Sequence, residues 1–263
     1  MEEPVMLAPK PYQPNRSLFA KIERRLTQYR KAAPATVSTD RPILSITFDD
    51  CPTSAAETGA RILEEYGVRG GYYIATGLMG RDSHMGLVTT PDQVAELNAA
   101  GHEICAHSHS HLDCAQARHD EVMEDVEHNI ELLKDICKTY SVDSFAFPYG
   151  ETRFDVKKHL AGDFLTLRGI LPGINRGVVD RAQLRAFEID HTQHSFDRAY
   201  AALDCLHHTP GWMIIFTHDV SETPSEHGMT PGQLRQILDR ARELDIDICT
   251  PKVAAERVGF KVK

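Results

Sequence analysis

Two adjacent carboxylates, Asp49 and Asp50, end an apolar run that begins at Ile43. Such a pair is costly in apolar surroundings unless it is hydrogen-bonded or neutralised by a cation. One carboxylate can then ligate a metal while its neighbour works as a base. The same pair can also cap the turn begun by Pro52 and Ser54. Farther along, three of the fourteen histidines fall within five residues, as His107-Ser108-His109-Ser110-His111. His107 and His111 are four apart, so a helical turn would put both on one face, as two metal ligands need, with His109 turned away. Imidazole with carboxylate suits zinc or another late first-row divalent ion. An exposed polar loop is the competing reading. The segment Phe145-Ala146-Phe147-Pro148-Tyr149-Gly150 holds no acid or base of useful pKa. Its turn can aim a backbone N–H at a developing oxyanion, or simply end a strand. His218 follows the apolar run Trp212–Thr217, where a histidine is either structural or a general acid.

Each of these groups follows a short, β-rich apolar run. Such runs occur at 43–48, 71–75, 103–106, 144–147, 164–167, 184–189, 212–217 and 246–249. Helical segments alternate with them. Ser54-Ala55-Ala56-Glu57 reads as a capping box opening a helix through Tyr66. Thr90-Pro91-Asp92-Gln93 and Thr230-Pro231-Gly232-Gln233 open two more. A long amphipathic helix is expected over about 120–138, and shorter ones over 155–160, 197–206 and 253–258. The alternation predicts an α/β fold. Four polar groups at four separate strand ends favour a (β/α) barrel, whose strand ends converge on one face, over an open sheet. Residues 1–40, polar and proline-bearing with a short helix over 18–29, read as an N-terminal extension to a barrel domain at 41–263.

The chain has 263 residues, 41% apolar and 25% charged, which is ordinary for a globular protein. With 38 acidic against 29 basic residues, the net charge of -9 speaks against nucleic acid as a partner. No apolar run approaches the ~18 residues of a membrane span, and no secretory h-region precedes residue 40, so a cytoplasmic location is expected. The six cysteines are scattered without a CxxC pair and read as reduced thiols.

Taken together and in this order, TFDD at 47–50, HSHSH at 107–111, FAFPYG at 145–150 and the late strand ending in His218 resemble the polysaccharide deacetylases. These are the NodB homology domain, or carbohydrate esterase family 4, and the resemblance runs from about Arg41 to Val258. It implies a distorted (β/α) barrel of seven or eight strands. Asp50, His107 and His111 would hold a divalent metal, commonly zinc, with cobalt or nickel as alternatives. Asp49 would be the general base on an activated water, and the Tyr149 backbone N–H would help hold the oxyanion. His218 would protonate the leaving amine of an N-acetylated amino sugar. The chain also departs from the family. Cys51 replaces the glycine of TFDDGP, and a packed neutral thiol is expected there. Ala146 stands where many members carry the arginine that orients the base; Arg168 is the first candidate to replace it and Arg185 the second. The family's Asp-Trp motif is missing, and Asp190 is the candidate carboxylate behind His218, with a helix-start aspartate as its competing role. An O-acetyl esterase would use the same residues. A cyclic imide or ureide amidohydrolase tends to lose the metal triad, and a non-catalytic carbohydrate-binding barrel loses the base or the acid; this chain keeps all of them.

Overall fold

The computed structural model describes residues 26–139 and 141–261. Twelve strands are β1 (Pro34–Val37), β2 (Ile43–Asp49), β3 (Gly71–Ile74), β4 (Asp82–Ser83), β5 (Gly86–Leu87), β6 (Glu103–Ala106), β7 (Ser144–Ala146), β8 (Thr166–Arg168), β9 (Gly177–Asp180), β10 (Phe187–Glu188), β11 (Trp212–Thr217) and β12 (Asp247–Ile248). The α-helices are α1 (Ala60–Glu65), α2 (Pro91–Ala99), α3 (His119–Cys137), α4 (Phe154–Leu160), α5 (Gln193–His208), α6 (Pro231–Glu243) and α7 (Pro251–Arg257). The main sheet runs β10-β11-β2-β3-β6-β7-β8, every pair parallel, with β12 beside the start of β2. Its two edges meet around Leu184, whose N–H donates to Leu167 O at 2.8 Å and whose carbonyl accepts from Gly169 N at 3.0 Å. The sheet therefore curls into the distorted α/β barrel that the strand count and motif positions predict.

Alternation within the strands sorts the core. All seven residues of β2 are buried. Leu44, Ile46 and Phe48 pack outward in one cluster with Ile62, Leu63 and Leu234 of the helical layer. Ile43 faces inward with Trp212, Ile214 and Phe216, and Trp212 Nε1 donates to Ser45 Oγ at 3.0 Å. Burial of both faces is the usual state of a parallel sheet. One end of the barrel is closed by α7. Pro251 lies against the start of β3, where a Cβ on Gly71 would stand 2.9 Å from its Cδ. Lys252 donates its N–H to Glu103 at 2.7 Å and its Nζ to Asp143 at 2.7 Å, both near strand starts. The opposite end, at the strand C-termini, is left to the loops.

The helix starts expected at Thr90 and Thr230 form, each with a capping box. The capping box expected at Ser54 does not form: its hydroxyl accepts from Val220 N at 3.3 Å, and residues 55–59 make a π-helical turn before α1. The strand expected over 184–189 is regular only at Phe187–Glu188, because Leu184 is drawn across to β8. Two ribbons escaped the pattern: β1 with β9, antiparallel, and the β4–β5 hairpin. The first draws residues 34–37 onto the barrel. The helix expected over 18–29 lies mostly outside the described residues. All six cysteines are free, five of them buried. No helix among the described residues is long and apolar enough to cross a membrane.

Candidate active site and metal centre

The last residue of β2, Asp49, and the next residue, Asp50, would point to opposite faces in a continuing strand. Asp50 instead takes φ 56° and Cys51 φ 47°, both left-handed. The turn ends the strand and brings the two carboxylates into one neighbourhood around His107, which is electrostatically coupled to both. His107 and His111 do not sit on a helical turn. Residues 107–111 form a loop after β6, kinked at Ser108 (φ 59°) and His111 (φ 54°), and these kinks bring both rings to Asp50. Of the seven non-glycine residues with positive φ among the described residues, five are Asp50, Cys51, Ser108, His111 and Tyr149. Such conformations persist only where the surroundings over-determine them, and they gather at functional sites.

The surroundings here come largely from α3. Its buried stripe is Val122, Val126, Asn129, Leu133 and Cys137, an apolar spacing with one amide in it. Asn129 accepts from His107 N at 3.2 Å and donates to Ile74 O and Thr76 Oγ1, each at 3.0 Å. One turn earlier, Asp125 accepts from His109 N at 2.7 Å and from Ser110 Oγ at 2.6 Å. His109 itself is turned to Thr76 and His128, away from Asp50.

Asp50 Oδ1 lies 3.2 Å from His111 Nε2 and 3.6 Å from His107 Nε2. His107 Nδ1 donates to the Ala146 carbonyl at 2.8 Å, which fixes the tautomer and leaves a lone pair on Nε2. Burial pushes the His107 pKa down to about 4, so the ring is neutral near pH 7. Burial also pushes the Asp50 carboxyl up, but the imidazoles, His111 first, outweigh it and hold it below the usual carboxylate range. Asp50 Oδ1 is buried without a hydrogen-bond partner. A carboxylate oxygen with no donor, facing a nitrogen lone pair, is an arrangement that a cation would satisfy. The donor set of two imidazoles and one carboxylate fits zinc or a similar late first-row ion.

Asp49 meets a different cation. Arg168, the last residue of β8 rather than the one after it, is 1% exposed. Its Nη2 donates to both Asp49 oxygens at 2.5 Å. Its guanidinium carbon lies 4.9 Å from the Tyr73 ring centroid and 4.6 Å from that of Phe216, and such stacking favours the cation. Arg168 and Ala146 are register partners on neighbouring strands. An arginine expected at the end of β7 has its counterpart at the end of β8, at the same level. Arg185 is exposed and donates to Pro172 O, away from Asp49.

Tyr149 occupies the Pro148–Gly150 turn with φ 58°, its ring edge-on to His111 at a centroid distance of 4.5 Å. His218 donates Nδ1 to the His227 carbonyl at 3.2 Å, and its charge is felt at Asp50. Asp190 is not brought to His218. Its Oδ1 accepts from Thr192 N at 2.8 Å, Thr192 Oγ1 at 2.5 Å and Ser195 Oγ at 2.5 Å, the pattern of a helix start. The nearby carboxylate missed in the sequence is Glu188, on β10. Burial raises its pKa, and His218 is the leading influence pulling it back down. The Cys51 thiol is buried and pushed up to about 12, hence neutral and unreactive.

The family model for polysaccharide deacetylases matches residues 36–162. The matched span contains Asp49, Asp50, His107, His111 and Tyr149 and stops before Arg168, Asp190 and His218, and it bears out the resemblance carried by the motifs. No curated protein matches the sequence. Among solved structures, a family 4 acetyl xylan esterase from Clostridium thermocellum, in complex with cobalt, aligns with TM-score 0.61 at 20% identity, over 84% of this chain and 94% of its own. A peptidoglycan deacetylase from Bacillus subtilis aligns with TM-score 0.53 at 15% identity, over 84% and 93%. A mutant with restored activity, made from a family 4 pseudoenzyme, aligns with TM-score 0.56 at 15% identity, over 84% and 70%. At these identities the likeness is one of fold.

Proposed function

From the polysaccharide deacetylase family, whose pattern residues 36–162 carry and whose fold the barrel shares, we propose a metal-dependent hydrolase that removes N-acetyl groups from an amino sugar in an oligosaccharide, a polysaccharide or a precursor of one. The observation that carries the reading is the pairing of two carboxylates in unlike environments. Asp50 faces two imidazoles with an oxygen left unsatisfied, while Asp49, beside it, is clamped by Arg168. Paired titratable groups held in different surroundings take different roles.

Asp50, His107 and His111 would hold the ion. A divalent metal there supplies Lewis acidity, polarising the acyl carbonyl and making water acidic enough to attack at neutral pH. Asp49 takes the proton from the attacking water. Arg168 holds that carboxylate correctly turned, its Nη2 donating to both oxygens. The Tyr149 backbone N–H supports the developing oxyanion. His218 gives a proton to the leaving nitrogen. Its Nδ1–H is held by the His227 carbonyl, so an added proton resides on Nε2, the atom that faces away from that carbonyl.

The test is acetate release from N-acetylated chitooligosaccharides and O-acetylated xylooligosaccharides, measured for wild type and Asp49→Asn. Release from the N-acetyl substrate, lost in the variant, is expected. Release from the O-acetyl substrate alone would keep the machinery and replace the amide by an ester. No release from either by metal-loaded protein would contradict the reading.

A further inference from the structure

A second group of ligand-bearing side chains lies beside His218, whose ring centroid is 5.3 Å from that of His227. His84 lies in the turn between β4 and β5, and Glu226 and His227 lie on the loop after β11. Each offers one ligand atom, and the three atoms fall within 4.8 Å of one another. Glu226 Oε1 is 3.6 Å from His227 Nε2. The His84 and His227 rings meet edge to face at a centroid distance of 5.6 Å. His84 and Glu226 are exposed and His227 is half-buried.

Two of these ligands come on a loop whose backbone is already fixed. The Asp219 carboxylate accepts from Ser225 N at 2.9 Å and from Ser225 Oγ at 2.5 Å. Ser225 Oγ in turn accepts from His227 N at 3.2 Å. The Glu226 carbonyl accepts from His191 Nδ1 at 2.8 Å, and the His227 carbonyl accepts from His218 N at 3.1 Å. A Cβ on Gly228 would stand 2.3 Å from Asp219 Oδ1, so the loop closes over that carboxylate only with glycine there. A preset loop lowers the ordering cost of binding.

We propose that His84, Glu226 and His227 form a second divalent-metal site, distinct from Asp50, His107 and His111. Two imidazoles and a carboxylate select zinc or copper over magnesium or calcium. Three protein ligands leave coordination positions open to water or a substrate hydroxyl. Occupied, the site ties the β4–β5 hairpin to the loop after β11. These two segments also line a cavity of about 370 Å³ with Thr53, Ser54 and Asp219. The ion would therefore set the width of that cleft.

Zinc titration of tag-free, metal-stripped protein tests this by calorimetry, with elemental analysis as the second readout. The proteins are wild type, His84→Ala, Glu226→Gln, His107→Ala/His111→Ala, and the last combined with His84→Ala, each checked for folding by circular dichroism. The expected result is one equivalent in the His107→Ala/His111→Ala protein, abolished by adding His84→Ala, and weakened at least about tenfold in Glu226→Gln. Equal zinc binding by wild type and His107→Ala/His111→Ala would sink the buried centre but keep this one. The proposal is overturned if His107→Ala/His111→Ala binds no zinc, or if its zinc is indifferent to His84→Ala.

Discussion

The barrel carries two clusters of the same composition, two histidines and one carboxylate, and they are built in opposite ways. Asp50, His107 and His111 sit at the ends of β2 and β6, largely buried, on kinked backbone held by α3. His84, Glu226 and His227 sit on a hairpin turn and a surface loop, largely exposed. In the first, burial keeps the His107 ring neutral, and the Ala146 carbonyl sets its tautomer. In the second, His84 and Glu226 are open to solvent and His227 is half-buried. The first lacks a satisfied state without a cation and the second does not. Chemistry is therefore expected at the buried cluster, and metal binding without chemistry at the exposed one.

Breaking the buried side should have the largest effect. Asp49→Asn removes the proposed base, and kcat for acetate release should fall about 10³-fold, within the range for general acid–base groups. Metal content should stay at the wild-type value by elemental analysis. His84→Ala should leave kcat within about twofold, and a similar collapse in that variant would erase the contrast.

Arg168→Ala comes next. It leaves the Asp49 carboxylate buried and unpaired, so kcat/KM should fall about 10²-fold and stability by about 3 kcal/mol. Adding Ala146→Arg restores a guanidinium at the same register one strand away. Recovery of kcat/KM in the double variant would show that a cation at this level is what Asp49 needs, on whichever strand it stands.

A smaller effect concerns pH. His107 binds its proton at about 4 when folded, against about 6.5 for an unfolded histidine. Between those values the unfolded chain binds more protons, so stability is fully present above about pH 6.5 and is lost as pH falls toward 4. For metal-free protein the loss should be no more than about 3 kcal/mol. Urea unfolding at pH 7 and pH 5 should show it, and His107→Ala should flatten it. Smallest of all is Cys51→Gly. Relief of a left-handed cysteine, about 1 kcal/mol, opposes loss of a fully buried thiol, so stability should change by less than about 1 kcal/mol with activity retained.

What was legible in the sequence follows the same division. The buried residues stand at the ends of apolar strands, and strand and side-chain type together foretold their convergence. The path of the chain between them was not legible. His107 and His111 suggested a helical turn, because spacing alone cannot distinguish a helix from a loop with two left-handed kinks. Asn129 interrupts the apolar stripe of α3, and a buried amide at such a position has to bond to something, but the sequence does not say to what. Arg168 was readable as a cation near the end of a strand, but its reach to Asp49 depends on β8 lying across the barrel. Asp190 and Glu188 lie two residues apart. Only the start of α5, which takes all of the Asp190 side-chain bonds, decides that Glu188 is the one near His218. The ribbon of β1 with β9 pairs residues far apart in sequence with no local signal.

Anomalous diffraction at the zinc edge, from crystals of protein loaded with one equivalent of zinc, tests the central claim most directly. The account predicts one strong peak about 2 Å from Asp50, His107 Nε2 and His111 Nε2, with Asp49 beside it still on Arg168. A peak only at His84, Glu226 and His227, or none near Asp50, would contradict it.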